Sequence, residues 1–189
     1  SALGASSTRG TVSTQGVYLP RIASEILTAV SQTQPTMVNV PVAASPSLTE
    51  QQRSSLHIQV QPGGGIGPNG QAMSNIQVGI SVVPSSLVMD MLPPGILEHT
   101  FDITIQARGP NGEEIAAFTT PAPMTFPNVF NAAPGTKLNF LSFDHTTGRL
   151  VIEGTATVSA DGMSVKTDPG TGISRPGWHG LTPPGTSKG

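Results

Sequence analysis

Short runs in which apolar and polar residues alternate with a period of two recur from Thr36 onward, and they confine this chain to a narrow set of folds. MVNVPV places Val38, Val40 and Val42 on one side. In LHIQVQ, Leu56, Ile58 and Val60 oppose His57, Gln59 and Gln61. Ile76, Val78, Ile80 and Val82 oppose polar or small residues, and Phe101, Ile103 and Ile105 oppose Asp102, Thr104 and Gln106. Alternation of this kind buries one face of a strand and wets the other. It belongs to antiparallel sheets, because parallel strands covered on both faces read as unbroken apolar runs.

The connections fit the strands. PGGGIGPNGQ reads as a flexible loop. RGPNGEE carries Asn111-Gly112, which predicts a type I′ hairpin turn because both central residues of that turn need positive φ. IAAF and PMTF read as short strands. In KLNFLSF the alternation slips between Phe140 and Leu141, as a bulge or two-sided burial requires. DHTTG and ADG are turns flanking RLVIEGTATVS, where Gly154 marks a bulge, and MSVKT returns as a third strand. The segment after Asp168 reads as turn residues, with Trp178 as its one large anchor. About nine strands in this pattern predict an all-β, antiparallel β-sandwich with a short helical turn in a connecting loop; a β-barrel would use the same alternation.

Composition narrows the function classes. Charged residues are 11 % of the chain, against about 25 % in typical domains, while Gly (22) and Pro (18) are abundant. That suits short strands and turns rather than long helices. The net charge is −2, with scattered Lys and Arg, one Trp and one Tyr, which argues against nucleic-acid binding. No apolar run approaches the roughly 18 residues of a membrane-spanning helix. The absence of Cys excludes disulfides, thiolate zinc sites and cysteine nucleophiles. Together with the Thr/Ser/Gly-rich composition this points to an extracellular or cell-surface setting, and Ser1 in place of Met reads as a fragment of a longer or processed chain. Residues 1–35 are expected to form an arm or linker. Within it Ile22, Ile26, Leu27 and Val30 suit either a short helix or an extended segment. Residues 36–180 form the β domain in this reading, and 181–189 a C-terminal linker.

The residues that carry chemistry do not assemble into a known catalytic or ligand spacing. His57, His99, His145 and His179 lack compact metal-ligand spacing, and His57 falls on a polar strand face. Asp144, Asp161 and Asp168 sit in turns, Asp144 and Asp161 at opposite ends of one strand, so turn capping is the expected role. No catalytic, cofactor or metal residues are expected. In PSSLVMDMLPPGILEHT, the residues Leu87, Met89, Met91 and Leu92 either plug an open end of the domain, with a helical turn capped by Ser85 or Ser86, or form an interaction patch. Ser142, with His145 nearby, invites comparison with β-sandwich modules in which a Ser attacks its own preceding peptide bond, a reaction that needs a strained backbone.

The stretch AAPGTKLNFLSFDHTTGRLVIEGTATVSADGMSVKTDPGTGISRPGWHG resembles modules of very large bacterial secreted or surface proteins. More loosely, through its strand–(Asp-x-x-Thr-Gly)–strand element, it resembles the ZU5 β-sandwich superfamily. The resemblance covers roughly Leu56 to Gly180 and rests on turn chemistry. It implies a structural or interaction module in an extracellular array, whose partners are neighbouring domains of the same long chain or another protein. It transfers no catalytic residues, and the His-Phe-Ser order of the self-cleaving ZU5-like members is missing at Ser142. A glycan- or peptide-binding adhesion module is the alternative from composition, although aromatics are 4 % and a sugar platform uses exposed rings.

Overall fold

A computed structural model of the chain describes residues 27–62, 64–83, 100–144 and 146–183. In chain order the strands are β1 (Thr28–Ala29), β2 (Thr36–Asn39), β3 (His57–Val60), β4 (Gly65–Ile66), β5 (Ala72–Met73), β6 (Gln77–Val83) and β7 (Phe101–Arg108). They continue with β8 (Ala117–Phe118), β9 (Met124–Pro127), β10 (Lys137–Asp144), β11 (Arg149–Val158), β12 (Ser164–Thr167) and β13 (Gly177–Thr182). The described chain is all-β and antiparallel, as the alternation requires.

Ten strands form one sheet in the order β1-β6-β7-β13-β10-β11-β12-β9-β3-β2, and β5-β4-β8 form a second, small sheet. The two edge strands of the large sheet, β1 and β2, are consecutive in sequence and joined by residues 30–35 only. That short connection forces the edges together, and β2 lies against β6 as well as pairing with β3. The sheet is therefore nearly closed and barrel-like. Its interior is filled by Ile58, Ile80, Ile103, Ile105, Phe126, Phe140 and Leu181, all essentially inaccessible to solvent. The Phe126 ring meets Phe101 edge-on at 6.2 Å, an arrangement that its quadrupole favours.

Strands β10, β11 and β12 are the expected meander. The slip between Phe140 and Leu141 is a bulge: Phe140 pairs with Gly154 and Leu141 with Ile152, which leaves Glu153 as the extra residue on β11. Gly154 is needed there for space, since a β carbon would fall 2.7 Å from Thr171 Oγ1.

Three local features depart from the sequence expectation. The Asn111-Gly112 turn is not type I′. Only Gly112 has positive φ (85°), whereas Asn75 and Asn131 are the non-glycine residues that do so among those described. Pro110 fixes its own φ near −65° and so selects a type I turn followed by a left-handed glycine. Gly67 to Gln71 repeats the same turn, with Gly70 at φ 84°. The described helix, α1 (Glu50–Ser54), lies between β2 and β3 and opens on a reciprocal capping box of Thr49 and Gln52. The segment expected to hold a helical turn, including Leu87, Met89, Met91 and Leu92, lies outside the described residues. Finally, the sheet starts at Thr28, in the stretch expected to be an arm, and Val30 is buried, which favours the extended reading for that end of it. It runs on to Thr182, and the C-terminal segment read as turns contributes β13, a central strand between β7 and β10.

Candidate functional site

The register of β6, β7, β13 and β10 sorts their side chains into two faces. Ile80, Ile103, Leu181 and Phe140 point into the core. On the opposite, outer face, Ser81 pairs with Thr104 and Thr104 with Trp178, while Val83, Asp102, Gly180 and Leu141 form the adjacent row. This outer face is nevertheless buried. Val83, Leu141, Leu150 and Trp178 make a second apolar cluster there, with Phe143 packed against it. Trp178, the expected structural anchor, is 3 % exposed, and its ring meets Phe143 at 6.2 Å and 90°.

A set of polar atoms is buried with these apolar groups. Among the described residues, Ser81 Oγ, Asp102 Oδ1, Thr104 Oγ1, Trp178 Nε1 and Thr182 Oγ1 have no hydrogen-bond partner, and all lie on the outer face. Asp102 Oδ2 accepts a short hydrogen bond from the Thr100 hydroxyl. Burial pushes the Asp102 carboxyl up to about 7, against the opposing hydrogen bond from Thr100, so the group stays protonated through the acid range. Gly180 makes room for this carboxyl: a β carbon there would fall 2.3 Å from Asp102 Oδ1 and 2.9 Å from the Phe101 carbonyl oxygen. Gly180→Ala is therefore expected to cost about 1–3 kcal/mol of unfolding free energy by overpacking. The penalty should shrink in an Asp102→Ala background; denaturant melts of the four-member cycle measure it.

His179 sits on the core side of β13. Its ring stacks on Phe140 at 5.7 Å and 6°, and Nε2 lies 2.8 Å from the Arg175 carbonyl oxygen. A carbonyl only accepts, so Nε2 carries the proton and Nδ1 is left with a lone pair that meets no donor among the described residues. Burial lowers this imidazole to about 4, against opposing backbone groups at Arg175 and Leu141. Ser142 is the register partner of His179 on β10 and of Val151 on β11. Both Ser142 and His179 line a cleft of about 210 Å³ with Glu153, Arg175 and Trp178. That is smaller than the roughly 300–1,000 Å³ of small-molecule sites. Ser142 stands in regular strand pairing on both sides, the extra residue of the bulge being Glu153 across from it, and no hydrogen bond joins Ser142 to His179 among the described residues. His145 lies outside the described residues.

The turn acids have structural partners. Asp144 accepts from the Thr146 N–H at 2.9 Å and from the Thr147 hydroxyl at 3.2 Å. Asp161 accepts from the Met163 N–H at 2.9 Å and from the Ser159 hydroxyl, which holds its pKa below the usual carboxylate value. Asp168 ties three strands' ends together. It accepts from the hydroxyls of Thr155 and Thr157 on β11 and from Lys137 of β10 at 2.9 Å. Burial acts to raise its pKa, but these bonds outweigh it and hold the carboxyl ionised. His57 is half-buried rather than solvated, and burial is the main cause of its lowered pKa. A wider groove of about 630 Å³ runs beside Asp168 and is lined by Pro121, Pro123, Thr125, Lys166 and Pro169, without an aromatic ring among its described lining residues.

Sequence alternation correctly separates Asp102 and Thr104 from Ile103, but it cannot show that their face is covered. Gly180, opposite Asp102, is the remaining local sign, since a glycine in a strand marks close approach. Comparisons with known protein families, with curated proteins and with solved structures find no match to this chain.

Proposed function

We propose that this chain is a non-enzymatic structural and interaction module of a large extracellular protein, which spaces or docks neighbouring domains. The observation that carries this reading is the use made of its reactive side chains. Asp144, Asp161 and Asp168 brace turns and strand ends, and His179 is kept neutral by burial, stacked on Phe140 with Nε2 on the Arg175 carbonyl oxygen. Side chains committed in this way stiffen a nearly closed sheet, and stiffness is what a spacer needs. The resemblance of the Ser-Phe-Asp-x-x-Thr-Gly turn to modules of bacterial surface proteins supports the extracellular setting.

Cross-linking mass spectrometry on the intact parent protein tests the proposal. Lys137, with 61 % of its side chain exposed, and Lys166 of β12 are the amines to watch. Cross-links from them to residues of flanking domains are the expected outcome. A module that cross-links to no neighbour, or that turns over ester or peptide substrates in a manner lost in His179→Gln, overturns it.

A further inference from the structure

The chain contains two Asn-Gly pairs, and both stand in the same setting. Gly67-Pro68-Asn69-Gly70-Gln71 joins β4 to β5, and Gly109-Pro110-Asn111-Gly112-Glu113 follows β7. In each loop the second glycine donates its N–H to the carbonyl of the first at 3.0 Å, with φ of 84° at Gly70 and 85° at Gly112. In each, the side-chain oxygen of the fifth residue accepts from the asparagine N–H, Gln71 Oε1 at 3.0 Å and Glu113 Oε1 at 2.8 Å. That side chain lies over the first glycine, where a β carbon would fall 2.5 Å from Gln71 Nε2 or from Glu113 Oε1. Both asparagines are exposed.

An asparagine before glycine is open to attack by its own backbone, because no β carbon shields the glycine nitrogen; every other asparagine here precedes Val, Ile, Ala or Phe. The glycine nitrogen gives its proton to hydroxide and bonds to the asparagine Cγ. The Cγ–Nδ2 bond breaks, and Nδ2 leaves as ammonia with a proton from water. Water then opens the resulting succinimide at either carbonyl, giving isoaspartate or aspartate. An intact turn opposes the first step. Its glycine N–H is already donated, and a type I turn holds the asparagine ψ near 0°, which keeps that nitrogen away from Cγ. The rate therefore follows how often each turn opens and how readily its glycine nitrogen becomes an anion. Both favour Asn69. β4 and β5 pair over two residues, whereas β7 pairs with both β6 and β13, and Arg108 bridges to Glu114 across the Asn111 turn. The Asn111 N–H also holds the Glu113 carboxyl below its ordinary pKa, so it is ionised at neutral pH. A charge-assisted bond closes this turn more firmly than the neutral Gln71 bond closes the other, and the carboxylate repels negative charge on the Gly112 nitrogen. We propose that Asn69 is a site of spontaneous covalent modification, converting through a succinimide with Gly70 to isoaspartate and aspartate, while Glu113 holds back the same reaction at Asn111. Conversion adds one negative charge to the net −2 of the chain, and isoaspartate adds a methylene to the main chain inside the turn that sets the register of β4 and β5. The reaction involves no partner, so it is independent of any docking role.

Peptide mapping by mass spectrometry tests this, after incubation of the folded chain at mildly alkaline pH in water enriched in heavy oxygen. Circular dichroism confirms that each variant folds. Label is expected at Asn69 several-fold faster than at Asn111, as a mixture of isoaspartate and aspartate. In urea, where the turns are lost, both sites should react faster and their rates should converge. Glu113→Gln should raise the Asn111 rate toward that of Asn69, and Gln71→Glu should slow Asn69. A folded chain that converts Asn111 first overturns the proposal. So does a folded chain that leaves Asn69 unlabelled while the chain in urea labels it, or a pair of variants whose rates match the parent's.

Discussion

Trp178→Ala is expected to lower the unfolding free energy by about 3–5 kcal/mol, the cost of emptying a large buried site that cannot collapse. The ring is 3 % exposed and bridges Val83 of β6, Leu141 of β10 and Leu150 of β11, with Phe143 against its edge. β13 is paired on both sides, with β7 and β10, so the strand cannot shift toward the void without breaking a ladder. Nε1 has no hydrogen-bond partner among the described residues, so the loss is one of packing. For a chain of this size the thermal midpoint should fall by roughly 6–20 °C. Trp178→Phe, which keeps most of the apolar surface and forfeits no hydrogen bond, should cost much less. A Trp178→Ala protein that melts with the parent would show that the outer cluster contributes nothing to the fold.

The same cluster marks the limit of what period-two reasoning can read. β3, β6, β7 and the β10–β11–β12 meander are legible because strand alternation is a local property, and the slip at Phe140–Leu141 shows the bulge for the same reason. β13 is not. Gly177, Gly180 and the preceding Pro176 give it the look of a turn, and it is the Asp102 carboxyl and the Phe101 carbonyl of β7 that explain why a central strand carries Gly180. α1 left a signal in Thr49 and Gln52, a capping box, but five residues without an apolar face are easily passed over. In Gly109–Glu113, Pro110 overrides the Asn-Gly preference for a type I′ turn. The buried outer face was hidden because alternation reports which side a residue faces and says nothing of whether that side is covered.

Asp102 and His179 should impose opposite pH dependences that nearly cancel in the parent, and removing either should expose the other. Asp102 has a folded value raised to about 7 from an ordinary 3.8. Between those values the folded chain holds a proton that the unfolded chain has lost, so this group makes stability fall as pH rises from about 4 to 7. The full swing is about 4 kcal/mol. His179 has a folded value lowered to about 4 from 6.5. There the unfolded chain binds the extra proton, so stability rises with pH across the same window, by about 3 kcal/mol. His57, also lowered by burial, adds to the His179 side. The lowered turn carboxylates Asp161 and Asp168 act at more acid pH, where stability falls as they protonate. Urea unfolding from pH 4 to 8 should therefore be nearly flat for the parent. Asp102→Asn should lose stability on acidification from pH 6.5 to 4. His179→Gln, which keeps a donor for the Arg175 carbonyl, should instead gain stability on acidification from pH 7 to 4, and the double variant should be flatter than either single one. Single variants with the parent's flat profile would mean that neither group is buried as described, because a group that titrates alike in the folded and unfolded chain cannot couple folding to pH.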